Sequence, residues 1–377
     1  MFSGDDHRHM AHALRLAERG LFTTDPNPRV GCVLVRDGEV IGEGWHERAG
    51  EAHAEINALR AAGDRASGAT AYVTLEPCCH LGRTPPCTDA LIRAGLARVV
   101  VAMEDPNLQV AGEGLRVLQQ AGIGTVAGVL AAEAGKLNPG FVMRMQRGRP
   151  WVRCKLAMSL DGRTAMADGE SSWISGEQAR LDVHKLRARS AAIMTGIDTV
   201  LADDPSLTVR LGEVEGAYSN PLRVVLDSGL RMPADAKLLG LPGETLIITG
   251  VSDVEKQARL QQADVSIRTL PLEQGRLDLA AVLQYLGGME INEVHLEAGA
   301  TLCGALLEAG LVDELVIYMA PHLMGDAARG LFVLPGLEHM QQRIRLSITD
   351  IRAIGDDWRI DATLTASGSS GDTARKS

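Results

Sequence analysis

His53-Ala54-Glu55, Pro77-Cys78 and Cys87 are the residues whose types and spacing point most sharply to chemistry. Zinc takes neutral imidazole nitrogen and thiolate sulfur as ligands, and a catalytic zinc leaves one of its four positions to water. Two thiolates and one imidazole, from Cys78, Cys87 and His53, balance the charge of the dication. Water bound there loses a proton more readily than bulk water and becomes a nucleophile. Glu55 stands beside a ligand without being one, which suits it to carry protons from that water to a leaving amine.

H-x-E followed by Pro-Cys and a second Cys is the pattern of hydrolytic zinc deaminases. The cysteine spacing departs from C-x-x-C, because eight residues separate Cys78 from Cys87, and Cys79 and His80 stand between them as rival ligands. A structural zinc is the alternative. Structural sites close with a fourth protein ligand, and here the natural neighbour is a carboxylate fit for acid–base work.

These residues need elements to hold them. Ala54–Ala62 reads as a helix stopped by Gly63, which puts His53 and Glu55 at its first turn. Cys78 follows the strand Ala71–Leu75, and Cys87 opens a helix over Thr88–Ala94. Helix starts facing a metal favour thiolate over thiol. Upstream, Asp5 or Asp6 would cap a helix over 5–19, and Asp37-Gly38 joins strands Val30–Val35 and Val40–Trp45. Strands at Arg98–Ala102 and Thr125–Val129 and a helix at Gly114–Ala121 complete a mixed sheet with helices on both faces.

The wider composition narrows the setting. The chain has 377 residues, room for about two domains, and a formal net charge of −10. An acidic balance argues against a nucleic-acid or membrane-surface binder. Any anionic ligand must be met by a few local arginines. Three of the six cysteines fall within ten residues, which suits a metal rather than a disulfide framework. With no apolar leader and no long apolar run, a cytoplasmic enzyme is expected.

Arg144, Arg147, Arg149 and Arg153 cluster around Gly148 and Pro150, so residues 143–151 read as a linker. The expected domains are 1–148 and 149–365, with a Ser/Gly-rich disordered tail over 366–377. In the second domain, strands are predicted at Val152–Met158, Ala191–Thr195, Leu222–Asp227, Thr245–Thr249, Glu293–Leu296 and Glu314–Met319. Helices are predicted at Gly176–Arg189, Leu277–Leu286 and Leu302–Ala309. There is no G-x-G-x-x-G after a strand. The segment EAGATLCGALL does follow a strand and open a helix, where bare N–H groups could cradle phosphate.

The motifs PNPRVGCVLV (26–35), HAE (53–55), TLEPCCHLGRTPPCTDAL (74–91), KLAMSLDGRTA (155–165), GESSWIS (169–175), TVLADDPSLTVR (199–210) and HLEAGATLCGALL (295–307) carry a resemblance over residues 7–364. They resemble the bacterial bifunctional riboflavin-biosynthesis enzymes, which fuse diaminohydroxyphosphoribosylaminopyrimidine deaminase to 5-amino-6-(5-phosphoribosylamino)uracil reductase. The long loop between the cysteines is specific to this family within the deaminases. The resemblance implies an α/β protein, with a cytidine-deaminase-like N-terminal domain and a dihydrofolate-reductase-like C-terminal domain. It implies His53, Cys78 and Cys87 as zinc ligands and Glu55 as proton shuttle. Asn27, His46, Arg83, Asp105 and Asn107 would touch pyrimidine or phosphate, against the alternative of plain turn chemistry.

For the reductase the resemblance implies NADPH. Ala157, Trp173, Thr199, Asp203, Ser228 and the loop Gly299, Ala300, Thr301, Leu302, Cys303, Gly304 and Ala305 would contact the cofactor. Ser171, Arg187, Leu207, Arg210 and Glu297 would contact the substrate, the arginines meeting its phosphate. Trp173 as ordinary core is the alternative. Lys155, on an apolar strand where an uncompensated charge is costly, is the first candidate proton donor, with Asp203 and Glu297 behind it. A homodimer through the reductase domain is implied as well. The competing readings are a nucleoside or RNA deaminase with an unrelated second domain, and a structural metal beside a binding module.

Overall fold

Cys32 and Leu34 turn to one side of a strand and Val33 and Val35 to the other, and all four are buried. A strand apolar on both faces must lie between two layers. The computed structural model describes residues 2–80, 85–107, 111–211, 218–260 and 264–365. The expected tail over 366–377 and Arg83 lie outside these described residues.

The first sheet has five strands: β1 (Gly31–Arg36), β2 (Glu39–Trp45), β3 (Thr70–Leu75), β4 (Arg98–Met103) and β5 (Gly124–Ala127). Their order is β2-β1-β3-β4-β5. β1 runs antiparallel to β2 and β3, while β3, β4 and β5 are parallel. Of its helices, α1 (Gly4–Glu18) and α5 (Ala131–Leu137) pack on the Val33 face. α2 (Ala54–Ala62), α3 (Cys87–Arg93) and α4 (Glu113–Gln120) pack on the Cys32 face. The mixed sheet with helices on both faces is as expected.

Two local expectations are corrected. α1 is capped by Ser3, not by Asp5 or Asp6: Ser3 Oγ accepts from Asp6 N at 3.0 Å, and the Asp6 carboxylate accepts from Ser3 N at 3.0 Å. Asp6 thus closes the capping box from inside the helix. Residues 143–147 are not linker but the end of α6 (Pro139–Arg147), which has Pro at its first turn and ends at left-handed Gly148. Of the arginines that suggested a linker, Arg147 is exposed, but Arg144 Nε donates to Asn292 Oδ1 at 2.7 Å across a packed boundary.

The chain continues through β6 (Trp151–Ser159), β7 (Arg163–Ala165), α7 (Glu177–Arg189), β8 (Ala192–Gly196), α8 (Ile197–Asp203), β9 (Leu222–Leu226), β10 (Thr245–Thr249), α9 (Val254–Leu260), β11 (Val265–Thr269), the ribbon β12 (Leu272–Glu273) and β13 (Arg276–Leu277), α10 (Leu279–Gly288), β14 (Glu293–Leu296), α11 (Ala300–Glu308), β15 (Glu314–Ala320), β16 (Arg329–Gly330), β17 (Leu346–Ile354) and β18 (Asp357–Leu364). Nine of these strands form one sheet in the order β11-β10-β9-β8-β14-β6-β15-β18-β17. It is parallel from β11 to β15, and the closing hairpin is antiparallel. α10 and α11 bury Leu283, Leu286, Cys303 and Leu306 against one face. α8 covers part of the other with Ile197 and Val200, and α7 covers Val316 and Tyr318 with Ala179, Val183 and Leu186. The β17–β18 hairpin lies outside the strands expected from sequence; β17 is exposed along almost its whole length although it carries Leu346, Ile348 and Ile351.

Two glycines of β2 place the helix that carries His53 and Glu55. A Cβ on Gly44 would lie 2.4 Å from Ala58 N and 2.5 Å from Ala54 O, and one on Gly42 2.4 Å from Ala58 O. The α2 backbone therefore rests directly on the sheet. Gly44→Ala must push α2 away. It is expected to cost about 1–3 kcal/mol in urea denaturation, the range for overpacking, and to lower bound zinc. A variant equal to the parent in both measurements would contradict this account of how the site is held.

Candidate functional site

Three elements bring His53, Cys78 and Cys87 together. His53 is the N-cap residue of α2, with extended backbone and no capping bond from its side chain. Cys78 lies three residues past β3, and Cys87 is the first residue of α3. One donor atom from each lies within 4.8 Å of the other two, with His53 Nδ1 3.3 Å from Cys87 Sγ and 3.6 Å from Cys78 Sγ. Tetrahedral coordination with bonds of about 2.0–2.3 Å puts nitrogen and sulfur ligands roughly 3.5 Å apart. The donor set therefore fits zinc in distance as well as in chemical type. Among the described residues, Cys79 and His80 do not join this group.

The three donors also share protons among themselves. The hydrogen bond from Cys87 leads in holding the Cys78 thiol down to about 4, and Cys87, keeping the shared proton, is pushed up. The hydrogen bond to Cys78 raises the His53 imidazole. Glu55 is buried in the first turn of α2, and burial, reinforced by the Cys78 charge, raises its carboxyl to about 7. A carboxyl poised near neutrality can both take and give a proton.

His46 is buried beside this group, its ring edge-on to His53 at 5.4 Å between centroids. Its Nδ1 faces Ala52 O at 3.1 Å, so Nδ1 carries the proton and Nε2 accepts from Asn27 Nδ2 at 3.0 Å. Asp105 and Asn107 form a turn in which Asn107 N donates to Asp105 Oδ1 at 2.8 Å. Sequence reasoning missed Glu76. Its buried carboxylate accepts from the N–H groups of Asp105, Gly112 and Gly114 at 2.8–2.9 Å and of Leu115 at 3.3 Å. That ties the loop after β4 to the loop carrying Cys78. A carboxylate directly after an apolar strand was the available signal.

In the second half, Thr199, Ser228, Glu297 and the segment from Gly299 follow the carboxyl ends of the parallel strands β8, β9 and β14, where ligands of open α/β sheets bind. Glu297 follows β14 and receives both arms of Arg187 from α7, Nη2 at 2.9 Å. Arg187 also donates to Thr208 O at 2.8 Å. Burial opposes ionisation of Glu297, but Arg187 outweighs it and holds the carboxyl well below its ordinary range. Burial lowers the Lys155 ammonium on β6, with Glu297 opposing the shift. Arg210 is exposed, so the two expected phosphate arginines differ: Arg187 is paired and Arg210 is open to solvent.

Gly299 is the N-cap of α11, in extended conformation without a side-chain cap. The first-turn N–H groups of Ala300, Thr301 and Leu302 have no carbonyl of their own helix to meet. Cys303 N donates to Gly299 O at 3.2 Å, and the Cys303 side chain is buried. Gly304 lies against Val333 O, and Ala305 sits further along the helix. Gly196 meets Leu302 at 3.3 Å from an added Cβ, which sets the start of α8, with Thr199, beside the start of α11. Ser228 follows β9, and Ala157 lies in β6. Asp203 is exposed at the end of α8, and Leu207 is buried with φ +46°. Trp173 is 76% exposed with Arg180 4.9 Å over its ring, so it is not core, and Ser171 is half-buried nearby in sequence.

His184, unremarked in the sequence, packs inside this group. Its Nδ1 accepts from Arg210 N at 3.2 Å. Burial, then the charges of Arg187 and Arg210, lower its imidazole to about 4. A base whose folded-state value is depressed adds stability that is full above its ordinary value near 6.5 and lost as pH falls toward 4. His184→Gln keeps an acceptor but cannot charge. The variant is expected to lose less stability than the parent between pH 7 and 4.5 in urea denaturation; parallel losses would contradict the assignment.

Comparison with known proteins bears on both halves. Residues 3–103 match the cytidine and deoxycytidylate deaminase zinc-binding region, and residues 150–360 match the RibD C-terminal domain. The riboflavin biosynthesis protein RibD of Escherichia coli (strain K12) is 53% identical over 361 residues, covering 93% of this chain and 97% of that one. RibD of Haemophilus influenzae is 47% identical over 378 residues, covering 96% and 98%. Among solved structures, Acinetobacter baumannii RibD (form 1) superposes with a TM-score of 0.88 at 45% identity, covering 96% and 99%. A Thermotoga maritima protein described as diaminohydroxyphosphoribosylaminopyrimidine deaminase/5-amino-6-(5-phosphoribosylamino)uracil reductase gives 0.86 at 30% identity, covering 96% and 99%. Likeness of this extent shows the family: the chain belongs to the RibD family of bifunctional riboflavin-biosynthesis enzymes, with a zinc-binding deaminase domain and a reductase domain on one polypeptide.

Proposed function

We propose that the first half deaminates 2,5-diamino-6-(5-phosphoribosylamino)pyrimidin-4(3H)-one, and that the second reduces the ribosyl group of the resulting 5-amino-6-(5-phosphoribosylamino)uracil to ribityl with NADPH. The observation that carries the reading is the His53–Cys78–Cys87 triangle with the buried carboxyl of Glu55 beside it. In this reading His53, Cys78 and Cys87 hold zinc, and bound zinc supplies a water activated for attack at neutral pH. Glu55 takes a proton from that water and returns it to the departing amine, which leaves as ammonia. Asn27 and His46 shape the wall beside the ligands, and the Asp105–Asn107 turn lines the approach.

In the second half, the first turn of α11 (Gly299 to Leu302) with Thr199, Ser228 and Ala157 would hold NADPH, which supplies hydride to C1′ of the opened ribose. Opening the ring needs a proton at the ring oxygen. Lys155 is the donor that the electrostatics favour, since Arg187 keeps Glu297 ionised and Asp203 is exposed. Arg210 and Ser171 would meet the substrate. The division into 1–148 and 149–365, a homodimer through the reductase half and a cytoplasmic location belong to the same proposal. Among the described residues no helix is long and apolar enough to cross a membrane.

Two variants test the first half. Glu55→Gln is expected to lower ammonia release by about two to four orders of magnitude while keeping zinc and NADPH oxidation with the deaminated ribotide. Near-normal release would overturn the shuttle, and loss of zinc would make Glu55 a ligand. Cys87→Ser is expected to lose zinc by metal analysis; equal zinc in variant and parent would remove Cys87 from the ligand set. If the parent releases ammonia but never oxidises NADPH, the reductase reading fails.

A further inference from the structure

Arg29 belongs by sequence to the deaminase half, two residues before β1 starts at Gly31, yet its buried guanidinium reaches into the other half. Nη1 donates to Glu293 Oε1 at 2.6 Å, at the first residue of β14, and to Leu137 O at 2.9 Å, the last residue of α5. Nη2 donates to Arg189 O at 3.1 Å, the last residue of α7. One planar fork thus ties the end of α7 to the start of β14, and a cation at a helix C-terminus is favourable in its own right. These are the elements that present Arg187 and Glu297. Its backbone is held too: Arg29 N donates to Asn138 Oδ1 at 2.8 Å, and Asn138 Nδ2 donates to Arg29 O at 2.9 Å.

We propose that Arg29 is a positioning residue for the reductase site, supplied by the deaminase half, so that the reductase geometry is completed only by the whole chain. The inference rests on the reading that Arg187 and Glu297 line that site. Arg29 touches neither substrate nor cofactor; it fixes the angle between α7 and β14, and through it the Arg187–Glu297 pair. A lost anchor that shifts such a pair by a fraction of an ångström costs substrate affinity before it costs folding.

The charge balance makes the test practicable. Three guanidiniums (Arg29, Arg153 and Arg189) share the buried cluster with two carboxylates, Glu293 and Glu314. Arg29→Met leaves two of each in that cluster, and the nearby buried Asp25 keeps its hydrogen bond from Asn292. Arg29→Lys keeps the charge but not the fork.

The experiment uses the full zinc-loaded chain supplied directly with 5-amino-6-(5-phosphoribosylamino)uracil. For Arg29→Met we expect KM for the ribotide to rise about tenfold with KM for NADPH, zinc content and ammonia release within twofold of the parent. Arg29→Lys should fall between, and it serves as the test if the Met variant fails to fold. Reductase constants unchanged in a folded variant would overturn the proposal. A fall of deaminase and reductase in equal proportion would also overturn it, since that is the mark of general destabilisation. Arg187→Met is the control: if it too leaves the ribotide KM unchanged, the reading of the site has failed rather than the role of Arg29.

Discussion

A carboxylate withdrawn from water stays ionised only if cations surround it, and Glu293, with a side chain 1% exposed, is the case on which much of this structure turns. Burial works against its charge, but Arg189, Arg29 and Arg153 together hold the carboxyl well below its ordinary range. The partners come from α7, from β6 and from the chain before β1, so satisfying one carboxylate fixes three elements at once. Neighbouring polar contacts extend the lock. Asn292 Nδ2 donates to Asp25 Oδ1 and to Pro26 O, both at 2.8 Å, and Arg144 reaches back to Asn292. The boundary between the halves carries this hydrogen-bonded seam beside an apolar contact of Phe22 with Ala188, Val209 and Leu211, and the polar part is directional.

On either side of that seam the chemistry sits where helices begin. His53 and Cys87 stand at the starts of α2 and α3, and Gly299 at the start of α11. Helix starts leave N–H groups unmatched and carry partial positive charge, which favours thiolate in one half and an anionic ligand in the other. In the deaminase half the helices are seated by strand glycines that let backbone touch backbone. In the reductase half the Arg187–Glu297 pair and the neutral His184 order the pocket wall instead.

The seam also changes the meaning of the segment near Gly148. Arginines around a Gly and a Pro read as a flexible joint when only composition is weighed. In the structure Arg144 lies on a helix facing Asn292, and Arg149 makes a two-armed pair with Asp313, Nη1 at 2.7 Å and Nη2 at 2.9 Å. Their charge is spent within the protein. Nothing local distinguishes a solvated arginine from a paired one, because the partners lie more than a hundred residues away.

Much of the rest was legible in advance. The candidate metal ligands, Glu55 and the strand–turn–helix at Gly299 were visible because spacing along the chain and the start of an apolar helix are local properties, set by backbone geometry. Most strands were legible too, since they are short apolar runs buried on both faces. The hairpin of β17 and β18 was not, because Asp350, Arg352, Arg359 and Asp361 interrupt its apolar residues. Likewise Glu76, His184 and Arg29 carry no signature of their own. What each does depends on backbone N–H groups, carbonyls or carboxylates delivered from distant segments, and only the packed chain brings these within hydrogen-bonding distance. Residue order along the chain limits which atoms can bind metal and move protons; packing selects which charges neutralise one another, because pairing is set by distance in space and not along the chain.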